Sequence, residues 1–333
     1  MSANTFKALR VHKVGKQQEA RLQDMAEEEL SPGDVLIEVH HSGVNYKDAL
    51  AVTGKGLILK NFPLNPGIDA AGIVLSSKDP RFAKGQAVLV NGCGTGEVVD
   101  GGFAQCLRVK AEFVVPLPNG LSSREAMLLG TAGFTAALAL QRMEHNGQRP
   151  DLGPILITGA SGGVGSFAVQ LFAHAGYEVH AVSGKPEATN YLKELGARTV
   201  ISPQDLQLGS RPLESVRFGG AVDNVGGRLL GQVLAHVQLW GNVAAVGLAE
   251  SMELHTTVMP FILRGVSLLG TSSNNTPMPL RHELWQKLAG PWKPVHLERV
   301  HARTIGLQDI PQACEDLIGR KVQGRILVDV KRG

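Results

Sequence analysis

Apolar and polar positions alternate in the first third of the chain. Residues 34–40, DVLIEVH, set Val35, Ile37 and Val39 on one side against Leu36 and Glu38 on the other. That period of two predicts a strand with one buried face. AAGIVL (70–75), GQAVLVNG (85–92) and AQCLRV (104–109) read as further short strands, with Gly and Pro punctuating the intervals. No stretch before about residue 120 holds a long helical period. A β-rich, barrel-like unit is expected there.

The pattern changes near residue 122. SSREAMLLGTAGFTAALALQRM (122–143) has Ser123 as an N-cap and room for a second helix starting near Thr131. Strands and helices then alternate. GPILITG (153–159), YEVHAVSG (177–184), ARTVI (197–201), GAVDNV (220–225), GNVAAVGL (241–248) and GVSLLG (265–270) read as strands. GVGSFAVQLFAHAG (163–176), PEATNYLKELG (186–196) and GRLLGQVLAHVQLW (227–240) read as helices. In the second of these, Ala188, Tyr191, Leu192 and Leu195 fall on one face at i, i+3, i+4 and i+7. This alternation predicts an α/β fold with a doubly wound parallel sheet. The tail, QGRILVDVK (323–331), is a strand that returns to the first unit. The expected division is residues 1–124 with 300–333 for the β-rich domain, and 125–299 for the sheet.

Composition narrows the partners. At 333 residues the chain suits two domains, and 43% hydrophobic with 19% charged residues is ordinary for a packed protein. A net charge of +3, with no basic run, gives no footprint for nucleic acid. Cys93, Cys106 and Cys314 are an odd number without a close pair, so no disulfide framework is expected. MSANTFKALRVHKVGK lacks the apolar core of a secretion signal, and no apolar run approaches a membrane span. A cytoplasmic protein that binds neither membrane nor nucleic acid is expected.

ILITGASGGVGSFAVQLF (155–172) carries the chemistry. An apolar strand runs into Gly159, Gly162, Gly163 and Gly165 and then into a helix. Glycines let the backbone turn tightly beside a pyrophosphate, and the helix N-terminus offers free N–H groups and a positive dipole end. Ser161, Gly162, Gly163 and Val164 form the expected cradle for a dinucleotide. An NAD site places an acid at the tip of the next strand for the ribose hydroxyl. Here that tip is Ser183, Gly184 and Lys185. A hydroxyl and an ammonium suit a 2′-phosphate, so NADPH is the expected cofactor. TGASGGVG also fits the short-chain dehydrogenase pattern. That reading needs a Y-x-x-x-K pair, and Tyr46, Tyr177 and Tyr191 are followed four positions on by Leu50, Ala181 and Leu195.

The full-length pattern resembles the medium-chain dehydrogenase/reductase superfamily, in its zinc-free, quinone-oxidoreductase-like branch. NYKDALAVTGKG (45–56), FPLNPGIDAAGIV (62–74), GTAGFTAALAL (130–140), TGASGGVGS (158–166) and TVMPFILRGVSLLG (257–270) carry the likeness. Their wording is similar to the NADPH-dependent acrylyl-CoA reductases. The resemblance implies a GroES-like catalytic domain beside a Rossmann domain, and a homodimer. Zinc members of the superfamily place a cysteine where Asn45 stands and a His-Glu pair where Ile68 and Asp69 stand. Isoleucine cannot ligate zinc, so no metal is expected. Hydride transfer must then go to an acceptor that is already polarised, a short enoyl-CoA or, alternatively, a quinone. A non-catalytic NADPH-binding sensor is a further alternative. Tyr46 is the candidate proton donor, and the resemblance also sets it beside the nicotinamide, where it could serve only for packing. Asn45 is a candidate to bond the substrate carbonyl, or a turn residue. The resemblance further implies cofactor contacts from Thr131, Leu248, Ile262, Ser273 and Arg320.

Overall fold

The computed structural model describes residues 5–332. In chain order it holds β1 (Thr5–Val14), β2 (Gln17–Ala26), β3 (Val35–Val44), α1 (Tyr46–Thr53), β4 (Asp69–Ser77), β5 (Ala87–Asn91), β6 (Cys106–Val109), β7 (Val115–Pro116) and α2 (Ser123–His145). There follow β8 (Ile155–Ile157), α3 (Gly163–His174), β9 (Val179–Val182), α4 (Thr189–Glu194), β10 (Thr199–Ile201), β11 (Phe218–Asp223), α5 (Gly227–Ala235), β12 (Val237–Ala245), α6 (Met259–Arg264) and β13 (Ser267–Gly270). The chain closes with α7 (Met278–Ala289), β14 (His301–Ile305), α8 (Ile310–Ile318) and β15 (Arg325–Asp329). It divides into two units, residues 1–131, 274–290 and 301–333 in one, 132–273 and 291–300 in the other. The segment around α7 therefore groups with the β-rich unit, where the sequence pattern had set it with the nucleotide sheet.

The first unit is built on a sheet of order β14-β15-β3-β4-β5-β7, with β6 also pairing β3, and a separate two-stranded sheet, β1-β2. The inward residues of β3, Val35, Ile37 and Val39, are fully or almost fully buried, as their alternation predicts. They join Val74, Val88, Val90, Phe103, Leu107, Ile326 and Val328 in one core. β15 lies antiparallel to β3 with Ile326 opposite Val44. That pairing delivers the chain's last strand to the end of β3, where HSGVNYKD begins.

The second unit is a six-stranded parallel sheet of order β10-β9-β8-β11-β12-β13. The order reverses direction at β8, the doubly wound arrangement. One expected helix is shorter than its pattern suggested. GRLLGQVLAHVQLW is helical only to Ala235, and Val237 begins β12. Val237 is fully buried and pairs with Phe218 of β11, so sheet burial overrides the local helical period. α2 has non-helical backbone at Gly130 (φ 49°, ψ −156°), so a second helical stretch does begin at Thr131.

Candidate active site

HSGVNYKD is not the polar end of a strand but a strand-to-helix switch. β3 stops at Val44, Asn45 is extended (φ −110°, ψ 164°), and Tyr46 opens α1. The Asp48 carboxylate accepts the Asn45 backbone N–H at 2.9 Å, tying off the first turn. Gly54, left-handed at φ 69°, ends the helix.

This switch points a polar network into the β-rich unit. Asn45 Nδ2 donates to Asp48 Oδ2 at 3.0 Å and to Asp69 Oδ2 at 2.7 Å, and its Oδ1 accepts from Arg325 Nη1 at 2.7 Å. Thr131 gives Asp69 both its backbone N–H (2.8 Å) and its hydroxyl (2.6 Å). Arg325 stands 3.6 Å from Asp69 and also donates to the carbonyls of Val44 and Leu128. Asp48 Oδ1 accepts the Ile68 N–H at 2.9 Å. Asp48, Asp69 and Arg325 are all essentially buried. Two acids and one guanidinium share the site, so both acids cannot ionise cheaply. Burial first, and the Asp69 charge second, push the Asp48 carboxyl up to about 7. Burial pulls the Arg325 guanidinium below its ordinary value. A Cβ at Gly43 or Gly130 would lie 2.5 Å or 2.6 Å from Arg325 Nη2, so a side chain there would have to displace the guanidinium.

The Asn45 amide is engaged on both sides, Nδ2 by Asp48 and Asp69 and Oδ1 by Arg325. Tyr46, by contrast, is 43% exposed. Ile68 is buried and apolar at the position where zinc relatives carry a ligand. Among the described residues no group of three His, Cys, Asp or Glu side chains is placed to hold a metal. Asp48, Asp69 and Arg325 were not singled out by sequence reasoning as site residues. Asp48 and Asp69 lie inside the quoted motifs, but nothing local marks them as neighbours.

The cradle lies in the second unit. After β8, Gly159 turns left-handed (φ 58°) and Gly162 caps α3. A Cβ on Gly165 would overlap Gly159 O and the Ala160 backbone, so only glycine lets α3 start this close to the strand. Ser183, at the tip of β9, donates to Ser161 at 3.0 Å and accepts the Lys185 N–H at 3.2 Å. Ser183 thus ties the tip of β9, through the Lys185 backbone, to Ser161 of the cradle turn. Desolvation holds the Lys185 ammonium below its ordinary value. Sequence reasoning missed a brace beneath the cradle. Thr158 donates to Asp223 at 2.7 Å, Asp223 accepts the Gly226 N–H at 2.7 Å, and Asn224 Nδ2 donates to Thr158 O at 2.7 Å. These contacts lock the ends of β8 and β11 together.

Leu248 and Ile262 are 58% and 70% exposed, and Ser273 follows β13. Arg320 is exposed and left-handed (φ 57°), just past the end of α8. Lys47 pairs with Glu97, Lys55 with Glu315, and Arg264 bonds backbone carbonyls.

Residues 31–119 match the family described as alcohol dehydrogenase GroES-like domain, and 163–289 the family described as zinc-binding dehydrogenase. The chain is 50% identical over 311 residues, 93% of its length and 95% of the other's, to an Escherichia coli (strain K12) protein named probable acrylyl-CoA reductase AcuI. The yhdH oxidoreductase from Salmonella enterica, solved in complex with NADP, superposes with a TM-score of 0.94 at 47% identity, covering 98% of this chain and 100% of that one. Bacillus subtilis yhfP, solved with NAD bound, gives 0.95 at 43% identity, covering 98% and 100%. The chain belongs to the medium-chain dehydrogenase/reductase superfamily, in the branch that holds the AcuI-type acrylyl-CoA reductases.

Proposed function

We propose that this protein reduces the C=C bond of a short enoyl-CoA, acrylyl-CoA to propanoyl-CoA, with NADPH. It is an NADPH-dependent oxidoreductase. The observation that carries the substrate is the full-length likeness to an acrylyl-CoA reductase, joined to an intact HSGVNYKD switch. Supporting the dinucleotide, Gly165 lets α3 start hard against the turn that follows β8, and Ser183 and Lys185 stand where an NAD site places an acid. NADPH, when bound, supplies a hydride for the substrate's β-carbon. The chain's own part is to place the cofactor and to deliver a proton to the α-carbon. Tyr46 carries the O–H with solvent access, while Asn45 fixes where α1, and therefore Tyr46, begins.

The reaction needs no metal in this reading. The buried Arg325 guanidinium, bonded to Asn45 and close to Asp69, stands among the residues that correspond to zinc ligands in relatives, and Ile68 offers none. Full turnover after exhaustive chelation is expected. The protein works as a homodimer in the cytoplasm. Supporting the first, β13 is a sheet edge near exposed Trp240, Val258, Ile262 and Leu263. Supporting the second, the three cysteines are free thiols. Single-turnover rates with acrylyl-CoA and a simple quinone, measured side by side with NADPH, test the substrate. Faster hydride transfer to the quinone would make it a quinone reductase, and no transfer to either would leave a binding protein.

A further inference from the structure

The β-rich unit contains a polar junction that the catalytic reading does not use. Segment 65–69 lies against segment 91–102. Asn65 N–H donates to Asp100 Oδ1 at 2.9 Å, and Asn65 O accepts the Gly101 N–H at 2.7 Å. Gly92 N–H donates to Ile68 O, Thr95 N–H to Gly92 O, and Thr95 bridges Val99. The glycines pack backbone on backbone: a Cβ on Gly96 would lie 2.8 Å from Gly67 C. Asn65, Asn91 and Thr95 are each fully buried. Four of their polar atoms have no protein partner: Nδ2 and Oδ1 of Asn65, Nδ2 of Asn91 and the Thr95 hydroxyl.

Full burial denies these groups bulk water whichever way they turn. The Asn65 backbone is bonded on both sides, and Asn91 Oδ1 is fixed by the Trp285 indole N–H at 2.9 Å, which settles which end of that amide is the orphan. Buried polar groups in native proteins almost always have a partner, and one this cluster can accept is small and both donor and acceptor. The charges at the junction are engaged elsewhere, Asp100 by the N–H groups of Asn65 and Ser31 and Arg281 Nη1 by the Asn91 carbonyl, so neither selects an ion over water at the orphaned atoms. We propose that Asn65 and Thr95 enclose an internal, ordered water, a hydration site built into the junction three residues upstream of Ile68. The inference stands whatever the acceptor of the enzyme is.

A high-resolution crystal structure of the full chain is expected to show solvent within hydrogen-bond distance of the Thr95 hydroxyl and the Asn65 amide. A dry junction, or a bound ion there, overturns the proposal. Thr95→Val and Asn65→Leu give an independent test through the sign of the stability change. If water is held, each substitution strips it of a partner, and the melting temperature falls by about 2–4 °C. The double variant expels the water, so its loss is smaller than the sum of the two. If the site is dry, Thr95→Val removes an unpartnered hydroxyl at nearly constant shape, and the melting temperature holds or rises. That result also overturns the proposal. Should a variant fail to fold, the crystal structure of the unsubstituted protein decides.

Discussion

Asp48 holds its carboxyl in full burial, beside a second carboxyl and one guanidinium. Its ordinary value is 3.8 and its folded value about 7. Between those values the folded chain keeps a proton that the unfolded chain has released. The contribution to stability is therefore complete below about pH 4 and is lost as pH rises to about 7, a fall on the order of a few kcal/mol. Urea midpoints measured from pH 4 to pH 8 are expected to show this slope. Asp48→Asn, which cannot titrate, is expected to flatten it, and an unchanged slope would place the titration elsewhere. Tyr46 is tested differently. Tyr46→Phe keeps the ring and deletes the O–H. As proton donor, its loss lowers the hydride-coupled rate by about 10²–10⁴-fold with NADPH affinity nearly unchanged. If Tyr46 only packs, Phe is nearly silent and Ala harms both binding and turnover. Single-turnover measurement with an enoyl-CoA separates these outcomes, because chemistry is then observed directly.

At the scale of elements, Gly165 in the turn from β8 into α3 is far less replaceable than Gly184 past the end of β9. Gly165 packs against the preceding turn with no space for a methyl, whereas a Cβ on Gly184 meets only Pro203, at 3.9 Å. Gly165→Ala is expected to weaken NADPH by at least tenfold, about 1.4 kcal/mol, and to lower the melting temperature. Gly184→Ala leaves both near wild type. NADPH fluorescence titration of the two variants checks the pair. Beyond that turn, the β9 tip decides which dinucleotide is held. Lys185→Ala is expected to erode a preference for NADPH over NADH that exceeds about tenfold in the wild type, mainly by weakening NADPH. Equal dissociation constants in the wild type would remove the 2′-phosphate role from this tip. The NAD-bound structure of a relative at 43% identity makes that measurement the informative one.

For the whole molecule, the parallel sheet ends in β13, whose outer edge has no strand partner among the described residues. Exposed apolar side chains collect on the same unit, with Trp240 73% and Ile262 70% accessible, and the Trp240 backbone left-handed at φ 61°. Such a surface is costly in a monomer and natural at a contact between copies. Trp240→Glu is expected to shift the protein from dimer to monomer in light scattering, without altering the buried network around Asp69. A monomeric wild type would refute the dimer.

Several features were legible in the sequence because they arise between near neighbours. The alternation of β3 shows which side is buried, the glycine spacing marks the turn from β8 into α3, and the β9 tip carries no acid. Sequence likeness added the superfamily and the reductase branch. Where the local period misled, at VQLW, pairing with β11 outweighed it. The buried site was not legible in the same way. Asn45 and Arg325 are 280 positions apart, and Thr131 reaches Asp69 across 62. No periodicity links them, because their meeting depends on β15 pairing with β3 and on the break of α2 at Gly130. The brace of Asp223 and Thr158 spans 65 positions for the same reason. Sequence determined most of the segments that form and the glycine turn that joins β8 to α3. Tertiary structure alone decided that two carboxyls and a guanidinium share one buried site, since desolvation and Coulomb energy depend on distances set by strand register.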